Sequence, residues 1–250
     1  ESAQIIILRL LHQYKTQKEV SQFIEANLSN SRIRKTEIQK AIEDKNFEYA
    51  KKLCKDGIET DKISKPGLAI DWYRFLLKIA QAENEVSEII KQATYLFVND
   101  FRSEEDYFEI MRANTVSEKW DVDVEKLISY IQTESKTIWR SRELIRKTYI
   151  KQQWWDRLFE LLKQTESLEN IENEEEYLAK DYAIELVIMY RNSLKNYVEK
   201  FIGRDHYQKA CRYLRRMKKL GGDTEVNRLI EHFRKTYPMR KALMDELNKV

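Results

Sequence analysis

Apolar residues return at helical spacing along almost the whole chain. Trp72, Phe75, Leu76, Ile79 and Ala80 follow i, i+3, i+4, i+7, i+8. Trp154, Leu158, Leu161 and Leu162 make a second such stripe, and Tyr207, Ala210, Cys211, Leu214 and Met217 a third. Each pattern is one face of an amphipathic helix. No run alternates with period two, so no strand is predicted.

Breaks fall every 10 to 20 residues and are built mostly from Asn, Asp, Ser and Thr, whose short side chains bond nearby backbone. They are predicted at Ser29–Ser31, Asp44–Asn46, Glu59–Pro66, Asn84, Asn99-Asp100, Asn114-Thr115, Thr133–Thr137, Thr165–Asn173 and Gly221–Asp223. Pro66 suits a first helical turn, and Pro238 is expected to open the last helix. Asp223-Thr224-Glu225 reads as an N-terminal cap. The acidic segment Glu166–Glu176 is the least periodic and is expected to be a long loop.

Composition sharpens this picture. The 250 residues contain five glycines and two prolines, and none from Leu68 to Ile202. Gly-rich phosphate loops, β-hairpins and Rossmann crossovers need glycine at positive φ, so they are excluded over that span. Gly57, Pro66, Gly203, Gly221 and Gly222 are expected at breaks, and Gly67 and Pro238 at helix starts. The fold class is therefore all-α: about a dozen short helices in antiparallel hairpins. A compact bundle and a stacked α-solenoid both satisfy the pattern, and a degenerate solenoid is favoured over a regular repeat. The small Ala50, within Asn46–Cys54, would let a neighbouring helix approach closely. One helical-repeat domain is expected over 1–250, with basic helices over 202–250 as its cap.

Chemistry is sparse. Cys54 and Cys211 lie on apolar stripes and read as small core hydrophobes, in keeping with a reducing, cytoplasmic compartment. His12, His206 and His232 are scattered. His206 and Cys211 are five apart, about 140° around a helix, which suits no shared metal ion. No cofactor, small-molecule substrate or catalytic constellation is predicted, and no apolar run reaches the roughly 18 residues of a membrane span. Ile5–Leu8 has no basic stretch before it, so a signal peptide is not expected. A start at Glu1 suggests an excised piece of a longer protein.

Charge gives the main functional lead. The whole chain carries +3, but residues 202–250 carry +7. Arg212, Arg215, Arg216 and Lys219 follow i, i+3, i+4, i+7 on the side opposite the Tyr207–Met217 stripe. Such a row suits phosphates or an acidic protein surface, and equally a solvated face paired with acidic helices. A second basic stretch runs from Lys136 to Arg157. The run Glu172, Glu174, Glu175, Glu176 shows no cation partner in the sequence. In Trp154-Trp155 the first is assigned to the core; Trp155 faces Phe159 and is either packing between hairpins or an exposed aromatic anchor for a partner.

Several segments carry a resemblance. Ala50–Ile58, Pro66-Gly67-Leu68 through Trp72, Tyr107–Met111 followed by Trp120, and Arg204–Tyr207 are similar to the helical region that accompanies the SWIM zinc finger in bacterial proteins. So is the end of the chain, Tyr207 through Leu220 into Tyr237–Leu247. The resemblance spans roughly residues 40–250 and implies a degenerate tetratricopeptide-like, right-handed superhelix beside a small zinc module that binds DNA or proteins. The Cys-x-Cys and Cys-x-His ligands of that module do not occur here, so no metal ligand is carried over. The expected function is a non-catalytic protein-interaction scaffold, accessory to an upstream SWIM-type module. The alternative is a nucleic-acid-associated module that uses the basic C-terminal helices.

Overall fold

The computed structural model describes residues 2–101 and 105–250, and it is all-helical. Glu1 and the side chain of His12 lie outside the described residues. Among these residues there is no strand, and no helix is long and apolar enough to cross a membrane.

The expected single domain divides into two compact units, Glu1–Ser141 and Arg142–Val250. The first holds α1 (Ser2–Tyr14), α2 (Gln17–Ala26), α3 (Ser31–Glu43), α4 (Phe47–Asp61), α5 (Pro66–Glu83), α6 (Val86–Asn99), α7 (Tyr107–Ala113) and α8 (Trp120–Glu134). Helix α9 (Ile138–Gln152) runs across the boundary. The second unit continues with α10 (Trp155–Lys163), α11 (Leu168–Lys200), α12 (Arg204–Lys219), α13 (Asp223–Thr236) and α14 (Lys241–Leu247).

In the first unit each helix packs mainly on its neighbours in sequence: α3 on α4, α4 on α5, α5 on α6 and α6 on α7. Short polar links explain this. Thr16 caps α2 in a reciprocal capping box with Glu19, and Asn30 and Asn46 cap α3 and α4. Asn84 ends α5 in the left-handed conformation, φ 56°, which its short side chain tolerates. Ile38, Ala50, Leu53, Cys54, Trp72 and Ile79 form a shared core. Ala50 is fully buried there.

Gly57 does not mark a break; it lies inside α4. A Cβ at this position would meet Trp72 Nε1 at 2.9 Å and Arg34 Nη1 at 3.0 Å. Glycine is needed there because a neighbouring helix comes close. Gly57→Ala should cost about 1–3 kcal/mol through overpacking, read as a lower urea midpoint. Two other expectations at helix starts also change. Pro238 lies in the turn between α13 and α14, and Asp223 is the first residue of α13, with Gly222 at the cap position and no side-chain cap bond.

The second unit is built on α12, which packs on α11, α13 and α14. All five residues of its predicted stripe, Tyr207 to Met217, are buried. Helix α11 contains a break: Tyr182, at φ −127° and ψ 25°, is non-helical. Tyr190 Oη donates to Glu175 Oε2 (2.7 Å) and Ser193 Oγ to Glu166 Oε1 (3.0 Å). The second pair is 27 residues apart, which in a straight helix is about 40 Å. Residues 183–200 therefore fold back along 168–181.

Glu166–Glu176, expected as a loop, is mostly the first turns of α11. Ser167 caps that helix by accepting from the Asn170 amide, and Leu168 and Ile171 are buried. Four of its acidic residues, Glu169, Glu172, Glu174 and Glu175, pair with cations.

Candidate functional site

The basic row on α12 meets the acidic start of α11. Lys209 Nζ lies 2.5 Å from Glu169 Oε1, and Arg212 Nη2 lies 2.9 Å from Glu172 Oε2. Arg216 reaches two carboxylates, Glu175 through Nε (2.9 Å) and Glu172 through Nη1 (3.1 Å). Partners sit 40 to 44 positions apart in the same order along both helices, so 168–181 and α12 run parallel. Two buried rings support the ladder from beneath: Tyr213 Oη donates to Glu172 (3.0 Å) and Tyr190 Oη to Glu175.

The four predicted cations thus have different fates. Arg212 and Arg216 are ion-paired. Arg215 is exposed and donates to the Lys249 carbonyl at 3.3 Å. Lys219 is exposed, with no ion pair or hydrogen bond among the described residues. Glu172 and Glu175 of the acidic run are the partners of Arg212 and Arg216. Its spacing carried the signal, because Glu169, Glu172 and Glu175 repeat every three residues as Lys209, Arg212 and Arg216 nearly do.

Glu174 faces the opposite way and pairs with Arg146 Nε. Its Oε2 is buried without a hydrogen-bond partner. Burial raises the Glu174 carboxyl above its ordinary value, and Arg146 opposes the shift without cancelling it. Glu169 is lowered by its bond to Lys209, and Glu225 by its bonds to Arg191 and Arg228.

These shifts have opposite consequences for stability. A carboxyl with a lowered folded value stabilises above its unfolded pKa, near 4.5, and loses that contribution as pH falls through the folded value. Glu174, with a raised value, costs the fold stability as pH rises from about 4.5 through its folded value. Urea midpoints between about pH 7 and pH 3 should therefore fall less on acidification in Glu169→Gln and more in Glu174→Gln.

The tryptophan pair is displaced by one position. Gln153 takes φ 56°, so Trp154 becomes the cap residue of α10 rather than part of its core stripe. It is half-buried, with the Arg157 guanidinium 4.2 Å from its ring centroid. Trp155 is not an exposed anchor. It is half-buried against the core of the second unit and stacks on Tyr177 at 6.1 Å. In the first unit Trp139 is 73% exposed. It lines a hollow of about 250 Å³ with Val98, Phe101 and Lys136.

A larger groove, about 650 Å³, crosses α4, α5 and α6. Ile58, Tyr73, Leu76 and Ala80 form its floor, with Lys51 and Lys55 on one rim and Glu88 and Lys91 on the other. Lys51 is held by Glu83 (2.8 Å) and Lys91 by Glu88 (2.9 Å). The geometry offers an apolar trough between charged walls.

Both thiols are buried and free. Desolvation pushes Cys54 up to about 12 and Cys211 up to about 11, so neither is a thiolate at neutral pH. His206 Nδ1 lies 2.7 Å from Tyr197 Oη, and its ring stacks on Phe201. Among the described residues no three His, Cys, Asp or Glu side chains gather as a metal site. No protein-family model matches the chain, and no curated protein or solved structure matches it.

Proposed function

We propose that this chain is a non-catalytic helical-repeat scaffold that binds a protein segment in the groove across α4, α5 and α6. The groove carries this reading, because its apolar floor lies between charged rims and helix pairs stacked in sequence order build such extended surfaces. The finer features of the reading are a degenerate, right-handed superhelical arrangement and an accessory role beside a SWIM-type zinc module. They rest on the sequence resemblance alone.

The test is affinity capture with immobilised wild-type chain and with Lys55→Glu/Tyr73→Ala as paired baits. Support would be a saturable protein partner retained by the wild type and lost from the groove variant. Capture of no saturable partner, or equal capture by both baits, would overturn the reading.

The nucleic-acid alternative has weaker support, since Arg212 and Arg216 already pair with Glu172 and Glu175. It predicts DNA or RNA binding that weakens steeply with salt and is lost when Arg212, Arg215 and Arg216 are changed to Glu.

A further inference from the structure

The break in α11 lacks the residues that normally make a turn. Residues 178–186 read Leu-Ala-Lys-Asp-Tyr-Ala-Ile-Glu-Leu, with neither Gly nor Pro, and most favour a continuous helix. Only Tyr182 departs from helical angles. Its ring stacks on Phe159 with centroids 4.4 Å apart, and its hydroxyl bonds Asp156. Cβ turns with φ, so a ring fixed to α10 holds Tyr182 away from the helical value near −63°. The bend is thus maintained by side-chain contacts against the local preference of the backbone.

We propose that Tyr182 is a hinge through which two copies of this chain exchange segments. This inference is independent of the scaffold reading. With Tyr182 in helical angles, α11 becomes one rod of about 50 Å, and 168–181 separates from its own 183–200 and α12. A second copy opened the same way presents identical surfaces. The pairs Glu169–Lys209, Glu172–Arg212 and Glu175–Arg216 then form between chains with the same partners. Only the hinge differs between the two states, which is the condition under which swapping is a low-cost route to a dimer.

A second observation points to the same partner. Ile184 is 74% exposed and Ile188 39% exposed, both just past the hinge. In a straight helix Ile184 and Ile188 lie within about 40° of each other, at 100° per residue. Two opened rods related by a two-fold axis near the hinge would set these isoleucines against their counterparts and remove them from water.

The test is size-exclusion chromatography with light scattering over about two decades of concentration, on the full chain. Wild type should show a monomer and a slowly exchanging dimer. Tyr182→Ala releases the ring that maintains the bend and should raise the dimer share several-fold. A Glu166→Cys/Ser193→Cys chain, bridged by a short bis-maleimide, should be linked within one chain in the monomer fraction and between chains in the dimer fraction. The hinge proposal fails if wild type and Tyr182→Ala are monomeric at every concentration. It fails equally if a dimer forms but its 166–193 bridges stay within one chain.

Discussion

Asp61→Ala should lower the stability of the first unit by about 3–5 kcal/mol, the usual cost of removing one member of a buried ion pair. Asp61 is almost fully buried at the end of α4. Its Oδ2 accepts from the Trp72 indole N–H at 2.8 Å and lies 3.8 Å from Arg34 Nη1. The Arg34 guanidinium in turn lies 5.6 Å from the Trp72 ring centroid. Alanine would leave a buried cation uncompensated and a buried donor without an acceptor, and both are penalised more than the intact pair is rewarded. Domains of this size are stable by only about 5–15 kcal/mol, so the variant would sit near the edge of folding. Replacing both charges, Arg34→Met with Asp61→Leu, should cost less than Asp61→Ala alone. Urea unfolding with hydrogen exchange on α4 and α5 measures this. A double variant as damaged as the single one would show that packing, and not the unpaired charge, sets the cost.

Reversing Arg212 and Arg216 to Glu should destabilise the second unit by about 2–4 kcal/mol at low salt. Most of this belongs to Arg216, which makes two charge-assisted bonds of the kind worth about 1.5–3 kcal/mol. Arg212 is half exposed and contributes at most about 1 kcal/mol. The reversal also sets four carboxylates side by side. The loss should shrink as salt rises, and Glu172→Arg with Glu175→Arg in the same chain should restore most of it. Thermal unfolding at low and high salt separates the causes. A loss insensitive to salt and not restored by the reciprocal change would assign the effect to the aliphatic stems of the arginines.

Features governed by local chemistry were legible in the sequence. The buried stripe of α12, the cap residues Asn30 and Asn46 and the left-handed stop at Asn84 each follow from residue type and spacing. The spacing of the basic row marks a helix face. Which carboxylates that face meets is not legible, because it depends on a register set some forty residues away. Glu166–Glu176 looked like a loop for the same reason, since its charges are neutralised by a helix that comes later in the chain. Gly57 misled because glycine serves close approach as well as turning, and only the position of Trp72 tells which. The fold-back at Tyr182 left no mark in the sequence. It is enforced by Phe159 and Asp156 across the fold, while the local residues favour a straight helix. The Trp154-Trp155 assignment slipped by one residue because Gln153 adopts a left-handed conformation without being glycine or asparagine.

The offset of 40 to 44 residues across the Glu–Arg ladder also bears on how the chain is made. In the first unit most partners emerge within one helix of each other, so packing can follow synthesis step by step. In the second, Glu169 and Glu172 emerge 40 residues before Lys209 and Arg212. At about 5–20 residues per second, that is a wait of about 2–8 s on the ribosome. During it, the apolar underside of 168–181, with Leu168, Ile171 and Leu178, has no α12 to cover it. The last third of the chain is thus the interval in which a nascent copy is most exposed to capture by a chaperone or by a neighbouring nascent chain.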